Sequence, residues 1–273
     1  MTLLLSALTD QDTAAKLLQA GELVAVPTET VYGLAADASN PQAVAKIFVA
    51  KGRPANHPLI VHIGDLAQLS SWARDIPAQA LLLAKAFWPG PLTLLLAKAD
   101  NVSHVVTGGK DSIGIRMPAH PVLLALLQQT GLAVAAPSAN PYKKLSPTSA
   151  LQVMAGLDGR IAAVLDGGDC SVGLESTIVD LTSAQPQVLR AGPISAASVP
   201  SATLSDTSRR AWVPAAWRAR RACASTRRTS CRRAGCVACA GGTWSCRATP
   251  CLRPRLLWWR RRQAWDGACT HRR

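Results

Sequence analysis

The sequence predicts an α/β fold: a twisted, mixed sheet of parallel and antiparallel strands flanked by helices, in a single domain that covers residues 1–200. Two observations predict it. Helical and strand patterns alternate along most of this stretch, and several short strand patterns then follow one another near its end. Residues 201–273 differ sharply in composition and are predicted to form an irregular tail.

Cap and turn residues define the elements in the first part of the domain. A helix is predicted over TAAKLLQAG, ended by its glycine, and the strand LVAVP follows. Asn40 and Pro41 predict the cap and first position of the helix PQAVAKIFVAK, which Gly52 ends. Lys51 is therefore expected at a helix C-terminus. The proline after Arg53 favours extended geometry there, and PLIVHI is predicted to be a strand.

The remaining elements follow from apolar runs separated by glycine and proline. Two helices are predicted over LAQLSSWA and AQALLLAKAFW, and WPGP separates the second from the strand LTLLLAKA. SIGIRMP and LAVAAPSAN are predicted strands with the helix PVLLALLQQTG between them. Ser146 and Pro147 are expected to open the helix PTSALQVMAG. Three strands, IAAVLDGG, ESTIVDL and QVLRAG, complete the domain.

Polar side chains on these strands have predictable directions, because successive residues of a strand point to opposite faces. Residues predicted to share one side of a strand are Ser112, Gly114 and Arg116, and, if their run stays extended, Ala136, Ser138 and Asn140. His62 also has a defined side on its strand. Taken singly, such residues also fit surface charges, turn formers or a buried histidine, and Lys51 and Arg53 also fit solvated charges at a helix end. Their joint occurrence is what indicates a site.

Charge divides the chain into two unlike parts. Residues 1–200 hold 13 basic and 14 acidic side chains, a net charge of −1, whereas residues 201–273 hold 17 arginines against two acidic residues, a net charge of +15. The first value argues against nucleic-acid binding as the main task of the domain. The sequence predicts a cytoplasmic protein with no membrane partner, and three observations support this prediction. The first 200 residues contain one cysteine, the start has no basic leader, and no apolar run is long enough for a membrane span.

Seven motifs follow one another across about 170 residues: PTETVYGL, KGRPANHPLIVHI, FWPGPLTLLL, IGIRMPAHP, PSAN, ESTIVD and VLRAG. In this order they resemble the threonylcarbamoyl-AMP synthase family, also called YrdC-like proteins, and the resemblance covers residues 13 to about 195. The paired signature of that family, K-x-R followed downstream by S-x-N, corresponds to Lys51, Arg53, Ser138 and Asn140. The match rests on several separate motifs, and the resemblance implies a YrdC-like fold.

The resemblance also implies a reaction. L-Threonine, bicarbonate and ATP, with Mg²⁺ on the triphosphate, would give threonylcarbamoyl-AMP and pyrophosphate, which makes the protein a nucleotidyltransferase, an L-threonylcarbamoyladenylate synthase. The product would pass to tRNA threonylcarbamoyl-transferase proteins, and weak RNA binding is a further partner interaction to consider. The carboxylate of a threonine carbamate must attack the α-phosphorus of ATP, so two anions meet and cations are required.

Site residues are carried over by the same resemblance. Lys51 and Arg53 would be catalytic, holding the phosphates and the developing charge. The threonine pocket would comprise Thr30, His62, Arg116, Ala136 and Ser176. The ATP side would comprise Arg53, His57, Ser112, Ser138, Asn140, Ser146 and Arg190. No metal ligand is assigned, since neither Glu29 nor Glu175 has a spacing that singles it out.

Two other functions stay open for the domain: a non-catalytic RNA-binding YrdC-like module and a carbamoyl-transfer accessory domain. The tail has its own alternatives. Its 17 arginines, seven cysteines and six tryptophans, with no lysine, are typical of GC-rich coding DNA translated out of frame, so we hypothesise a frameshift near residues 200–210 and predict disorder. An RNA-binding tail or a zinc site at CVAC are the other interpretations.

Overall fold

The computed structural model describes residues 1–195, and within this range ten strands form one sheet accompanied by seven α-helices and a short 3₁₀ helix. The predictions made for residues 201–273 lie outside the described residues. The longest α-helix in the described part has 11 residues, and no helix there is long and apolar enough for a bilayer crossing.

The elements have the following bounds. The strands are β1 Leu3–Ser6, β2 Val24–Val26, β3 Gly33–Asp37, β4 Ile60–His62, β5 Leu92–Ala97, β6 Ser112–Arg116, β7 Val134–Ala135, β8 Ala163–Asp166, β9 Thr177–Asp180 and β10 Gln187–Arg190. The helices are α1 Gln11–Gln19, α2 Pro41–Lys51, α3 Leu69–Trp72, α4 Ala78–Phe87, α5 His104–Thr107, α6 Pro121–Thr130 and α7 Ala150–Leu157, and the 3₁₀ helix is Leu66–Gln68.

The sheet is mixed, as predicted, with the strand order β1-β8-β2-β3-β7-β4-β6-β5-β9-β10. Four neighbouring pairs are parallel: β1 with β8, β2 with β8, β4 with β6, and β5 with β9. The other five pairs are antiparallel. The predicted fold class is confirmed.

Each face of the sheet carries its own apolar cluster. The larger cluster takes alternate residues of β5 and β6, such as Leu94 and Ile115, and packs them against α2, α4 and α7. The smaller cluster lies on the opposite face, where α1 and α6 cover β2, β7 and β8. Neither helix of the smaller cluster contributes residues over β5, β6 or β9, so this half of the second face is left open and carries polar as well as apolar side chains.

Helix α2 has the predicted boundaries. Asn40 caps it, because its side chain accepts hydrogen bonds from the amides of Gln42 and Ala43 at 3.0 and 3.1 Å. Gly52 ends it in a left-handed conformation with φ of 64°, which glycine adopts without steric cost. The helix thus places Lys51 in its last turn.

Two sequence predictions near the site are wrong. Ser146 and Pro147 do not open a helix: α7 begins at Ala150 with Ser149 as its cap, because the Pro147 carbonyl accepts the amide of Tyr32 at 2.9 Å. The run LAVAAPSAN is extended only over β7, and beyond it Ser138 makes an isolated bridge with Gly33. A proline inside that run has no amide hydrogen to continue the ladder.

Asn40→Ala is expected to lower the free energy of unfolding by about 1 kcal/mol, because two amides of the first turn of α2 lose their acceptor. Urea unfolding of the full chain measures this. Asn40→Asp is the matched control, since a carboxylate accepts the same hydrogen bonds and should keep most of the stability. Equal losses for both variants would contradict the capping role.

Candidate functional site

A cavity of about 330 Å³ lies on the half of the sheet face that the helices leave uncovered. Nine of the thirteen residues predicted for the site line it: Thr30, Arg53, His62, Ser112, Arg116, Ala136, Ser138, Ser176 and Arg190. A second cavity, of about 380 Å³, lies between the loop after β3 and the loop before β7 and has no charged side chain in its lining. The chemistry predicted from the sequence is therefore concentrated in the first cavity.

Strand β6 forms the middle of the cavity wall. Ser112, Gly114 and Arg116 face the cavity while Ile113 and Ile115 are buried in the core on the other side, which confirms the predicted alternation. The neighbouring strands β4, β5 and β9 contribute residues that are in register with this face. The wall is therefore mixed: polar His62 and Thr93 alternate with apolar residues of the same strands, namely Ile60, Leu95 and Ile178.

Lys51 does not line the cavity, but its side chain contacts the loop that carries Ser138, a lining residue. Its buried ammonium donates hydrogen bonds to the carbonyl oxygens of Ser138 and Asn140 and lies 3.4 Å from the side-chain oxygen of Asn140. Burial, and then the nearby charge of Arg53, lower the pKa of Lys51 to about 8. Lys51 and Asn140 do not line the cavity themselves. They fix the loop that carries Ser138, which does.

Arg53 lies just beyond the left-handed turn that ends α2, with its guanidinium on the cavity wall. Its Nη2 donates to the carbonyl oxygen of Pro58 at 2.9 Å. Its Nε is buried and has no hydrogen-bond partner among the described residues. Burial lowers the pKa of Arg53 from its ordinary value, but an arginine stays cationic at neutral pH.

Arg116 is held rigidly at the buried end of β6. Its Nη2 forms an ion pair with Glu29 at 2.7 Å, its Nη1 donates to the hydroxyl of Thr30 at 2.9 Å, and its Nε donates to the carbonyl of Gly90 at 3.2 Å. The second oxygen of Glu29 accepts the amide of Ala119 at 3.1 Å. Both members of the pair are buried, so the guanidinium is oriented before any ligand arrives.

His62 lies beside Arg116, because the two residues are paired in the parallel register of β4 and β6. Burial, and then the positive charge of Arg116, lower the pKa of His62 to about 3. The imidazole is therefore neutral near pH 7. Its Nδ1 is buried without a hydrogen-bond partner in the described part of the chain, which leaves one ring nitrogen for a ligand.

A hydrogen-bonded chain connects the opposite side of the cavity. Arg190 donates through Nη2 to the hydroxyl of Ser176 and through Nε to the Ser176 carbonyl, both at 2.9 Å, and the same hydroxyl lies 2.8 Å from that of Thr93. Glu175 lies 3.5 Å from Nη1 of Arg190 and accepts the Ser146 hydroxyl at 2.8 Å. Ser146 is thus outside the cavity lining and contacts it through Glu175.

His57 is also outside the cavity lining. Its ring packs edge-on against Tyr142, with the centroids 5.6 Å apart. The structure therefore gathers nine predicted residues around one cavity, connects three more to it through Ser138 or Glu175, and places His57 in the adjoining loop.

Sequence reasoning missed three residues that line the cavity and carry chemistry, Thr28, Thr93 and Lys110, and did not select a fourth, Glu175. Extending the alternation of β6 two residues toward the N-terminus would have found Lys110. Thr93 lies in an apolar run that gives no sign of a polar face, and Glu175 was considered without a reason to choose it.

The lining of the cavity carries a net positive charge. Four cations, Arg53, Lys110, Arg116 and Arg190, and one carboxylate, Glu175, are among its lining residues, whereas residues 1–200 as a whole carry a net charge of −1. Concentrating one sign of charge in a cleft raises the local concentration of ligands of the opposite sign. The site is therefore suited to anions.

The chain belongs to the Sua5/YciO/YrdC family, whose model, described as "Telomere recombination", matches residues 16–192. Among its relatives are two proteins named threonylcarbamoyl-AMP synthase. That of Pyrococcus abyssi is 51% identical over 179 residues, and that of Bacillus subtilis is 52% identical over 182 residues; each alignment covers 66% of this chain and 53% of the relative. The chain thus spans about half the length of these curated relatives.

Solved structures agree with this assignment. Sua5 of P. abyssi in complex with L-threonine is 47% identical, with a TM-score of 0.67 over 70% of this chain and 57% of that one. Escherichia coli YciO matches with a TM-score of 0.66 over 73% of this chain and the whole of that one, at 22% identity, and so supports the fold alone.

Proposed function

We propose that the protein is an L-threonylcarbamoyladenylate synthase, a nucleotidyltransferase that converts L-threonine, bicarbonate and ATP to threonylcarbamoyl-AMP, pyrophosphate and water. The observation that carries the proposal is the cavity in which three arginines, a lysine and a neutral histidine converge from separate parts of the chain. The relatives named threonylcarbamoyl-AMP synthase support it.

Threonine would bind at the buried end of the cavity. Nη1 and Nη2 of Arg116 each carry two N–H groups. Nη1 uses one of them on Thr30, and Nη2 forms an ion pair with Glu29 but has no hydrogen-bond partner among the described residues. These two donors suit the carboxylate of an amino acid. Neutral His62, together with Ser176 and the wall at Ala136, would surround the rest of the molecule without adding a cation next to its amino group.

ATP would occupy the outer part of the cavity, near Arg53, Ser112, Ser138 and Arg190. The carbamate of threonine attacks the α-phosphorus, so a carboxylate approaches a polyanion and the transition state spreads negative charge over the phosphate oxygens. Arg53 would stabilise that charge from the cavity wall, and Lys51 would add its positive charge from beneath the Ser138 loop. Lys51 and Asn140 would together hold that loop in position. No covalent nucleophile is required, because positioning and electrostatic stabilisation suffice for this step.

Mg²⁺ would enter with the triphosphate. Mg²⁺ in nucleotide sites is held by substrate phosphates, waters and one or two carboxylates. Glu175 is the carboxylate among the lining residues of the cavity, and the described residues contain no cluster of three metal-binding side chains. The site therefore fits an ion that arrives bound to ATP.

The product is a mixed anhydride of a carbamate and AMP, which reacts readily with nucleophiles. We propose that proteins that transfer the threonylcarbamoyl group to tRNA consume it and that the reaction takes place in the cytoplasm. A YrdC-like RNA-binding module or a carbamoyl-transfer accessory domain would release no pyrophosphate in response to threonine.

The test is the release of pyrophosphate from ATP with the purified full chain. We expect release that requires both threonine and bicarbonate, together with a threonine-containing adenylate detected by mass spectrometry. Omission of threonine and removal of bicarbonate are the two controls. Release that continues without threonine, or no release under any condition, would exclude the proposed activity.

The lowered pKa of Lys51 leads us to expect opposite effects of pH on activity and on stability. Its pKa of about 8 in the folded chain is below its ordinary value of 10.5, so between these values the unfolded chain holds a proton that the folded chain lacks. The contribution of Lys51 to the free energy of unfolding therefore rises with pH across this window. In contrast, kcat/KM should fall above about pH 8 as the cation is lost.

Initial rates and urea unfolding across this pH range measure both effects. Lys51→Arg keeps its charge throughout and should move the fall in kcat/KM to higher pH. A wild-type kcat/KM that stays flat from about pH 7 to about pH 10 would contradict a role for the charged ammonium.

A further inference from the structure

The outer end of the cavity carries a cation that the proposed mechanism has not used. Lys110, Ser112, Gly114 and Arg116 all line the cavity and follow one another at every second position. At about 3.3 Å per residue, the β6 backbone from Ser112 to Arg116 spans roughly 13 Å, and Lys110 lies two residues before the strand begins. If Arg116 holds the carboxylate of threonine, Lys110 lies at the far end of the same row.

Lys110 is positioned by a turn that packs closely on the Arg53 loop. Gly108 and Gly109 both have positive φ, of 61° and 82°. A Cβ atom on Gly108 would lie 2.5 Å from the carbonyl oxygen of Asn56, so the turn and the Arg53 loop are in direct backbone contact. The amide of Leu59 also donates to the carbonyl of Val106 at 2.9 Å. These contacts place Lys110 and Arg53 on two adjoining segments of the cavity wall.

The side chain of Lys110 differs from the other three cations of the cavity. Within residues 1–195, Arg53 donates to a backbone carbonyl, while Arg116 and Arg190 each have a glutamate within ion-pair distance. The ammonium of Lys110 has no ion pair or hydrogen bond in this range, and the residue is exposed. Its charge is therefore not offset by a protein partner and remains available to an anion.

We infer that Lys110 binds the β- and γ-phosphates of ATP and the pyrophosphate that leaves. The inference rests on the proposed function, in which the α-phosphate lies between the threonine pocket and the outer part of the cavity. A flexible ammonium can follow a phosphate group that moves away after the P–O bond breaks, whereas a guanidinium tied to protein oxygens is fixed. Lys110 would thus favour the chemical step and also slow the release of pyrophosphate.

Direct binding tests this inference without relying on turnover. Lys110→Met removes the charge at nearly constant length, and Lys85→Met, an exposed lysine of α4 outside the cavity lining, is the matched control. Titration calorimetry with ATP, tripolyphosphate and AMP is expected to show about tenfold weaker binding of the first two by Lys110→Met, with AMP unchanged. Lys110→Arg should keep most of the affinity, and Lys85→Met all of it.

Equal affinity of wild type and Lys110→Met for ATP and tripolyphosphate would overturn the inference, as would an equal loss for AMP, which would indicate a general effect of charge. The inference would also be overturned if the wild type bound neither ATP nor tripolyphosphate. Failure of the proposed function is a separate result: threonine-dependent pyrophosphate release would be absent in the wild type, while the comparison of ATP with AMP would still report on Lys110.

Discussion

Lys51→Met is expected to lower the rate of threonine-dependent pyrophosphate release by about 10² to 10³-fold, because removal of one preorganised stabiliser of developing charge costs that much. The variant also removes the donor to the carbonyls of Ser138 and Asn140. The loop that carries Ser138 then loses its attachment to the end of α2. We expect the effect mainly in kcat, since the charge acts on the transition state.

Lys46→Met is the matched control for this variant. Lys46 is on the same helix, its ammonium lies 2.8 Å from Glu22, and both side chains of that pair are 46% exposed, so the pair contributes little to stability. Its rate should match the wild type within about twofold. A Lys51→Met chain that folds and turns over at the wild-type rate would show that the ammonium has no part in the reaction.

Arg116→Met is expected to raise the KM for threonine by about a hundredfold or more, because the carboxylate loses a charged two-donor partner in a buried site. It should also destabilise the chain by about 3–5 kcal/mol, since the carboxylate of Glu29 stays buried without its cation. These two effects have different causes and can be separated by a second substitution. Steady-state kinetics and thermal unfolding measure them.

The double variant Glu29→Gln with Arg116→Met removes both charges. We expect most of the stability to return while the use of threonine stays lost, because the amide does not replace the guanidinium. Arg74→Met, at a surface arginine whose side chain is 51% exposed, should change neither quantity. Recovery of threonine use together with stability would show that Arg116 has only a structural role.

The fold and much of the site could be predicted because the signals were local. Asn40 and Gly52 define α2 by capping chemistry alone, and alternation along β6 correctly separates Arg116 from the core. Neither signal reports what a side chain meets across the sheet. The ion pair between Glu29 and Arg116 joins residues 87 positions apart, and no spacing along the chain predicts it.

The two wrong predictions have a common cause. Ser146 and Ser138 both lie in segments whose backbone groups are paired with a distant strand, through Tyr32 in one case and Gly33 in the other. Tertiary hydrogen bonds override the local preference for a helix start or for a longer strand. The same non-local pairing explains why β3 was not predicted, since its short run of small residues gains order from the neighbours on either side.

The half of the sheet face that lines the cavity fixes the distances between the functional side chains as well as their identity. Neighbouring strands lie about 4.8 Å apart, so the wall from β4 through β6 and β5 to β9 is roughly 14 Å wide. The hydrogen bonds between the strands fix the positions of the residues along this wall. A site built on a hydrogen-bonded sheet loses little conformational freedom when a ligand binds. Selection among amino acids by size would then depend on which side chains occupy these fixed backbone positions.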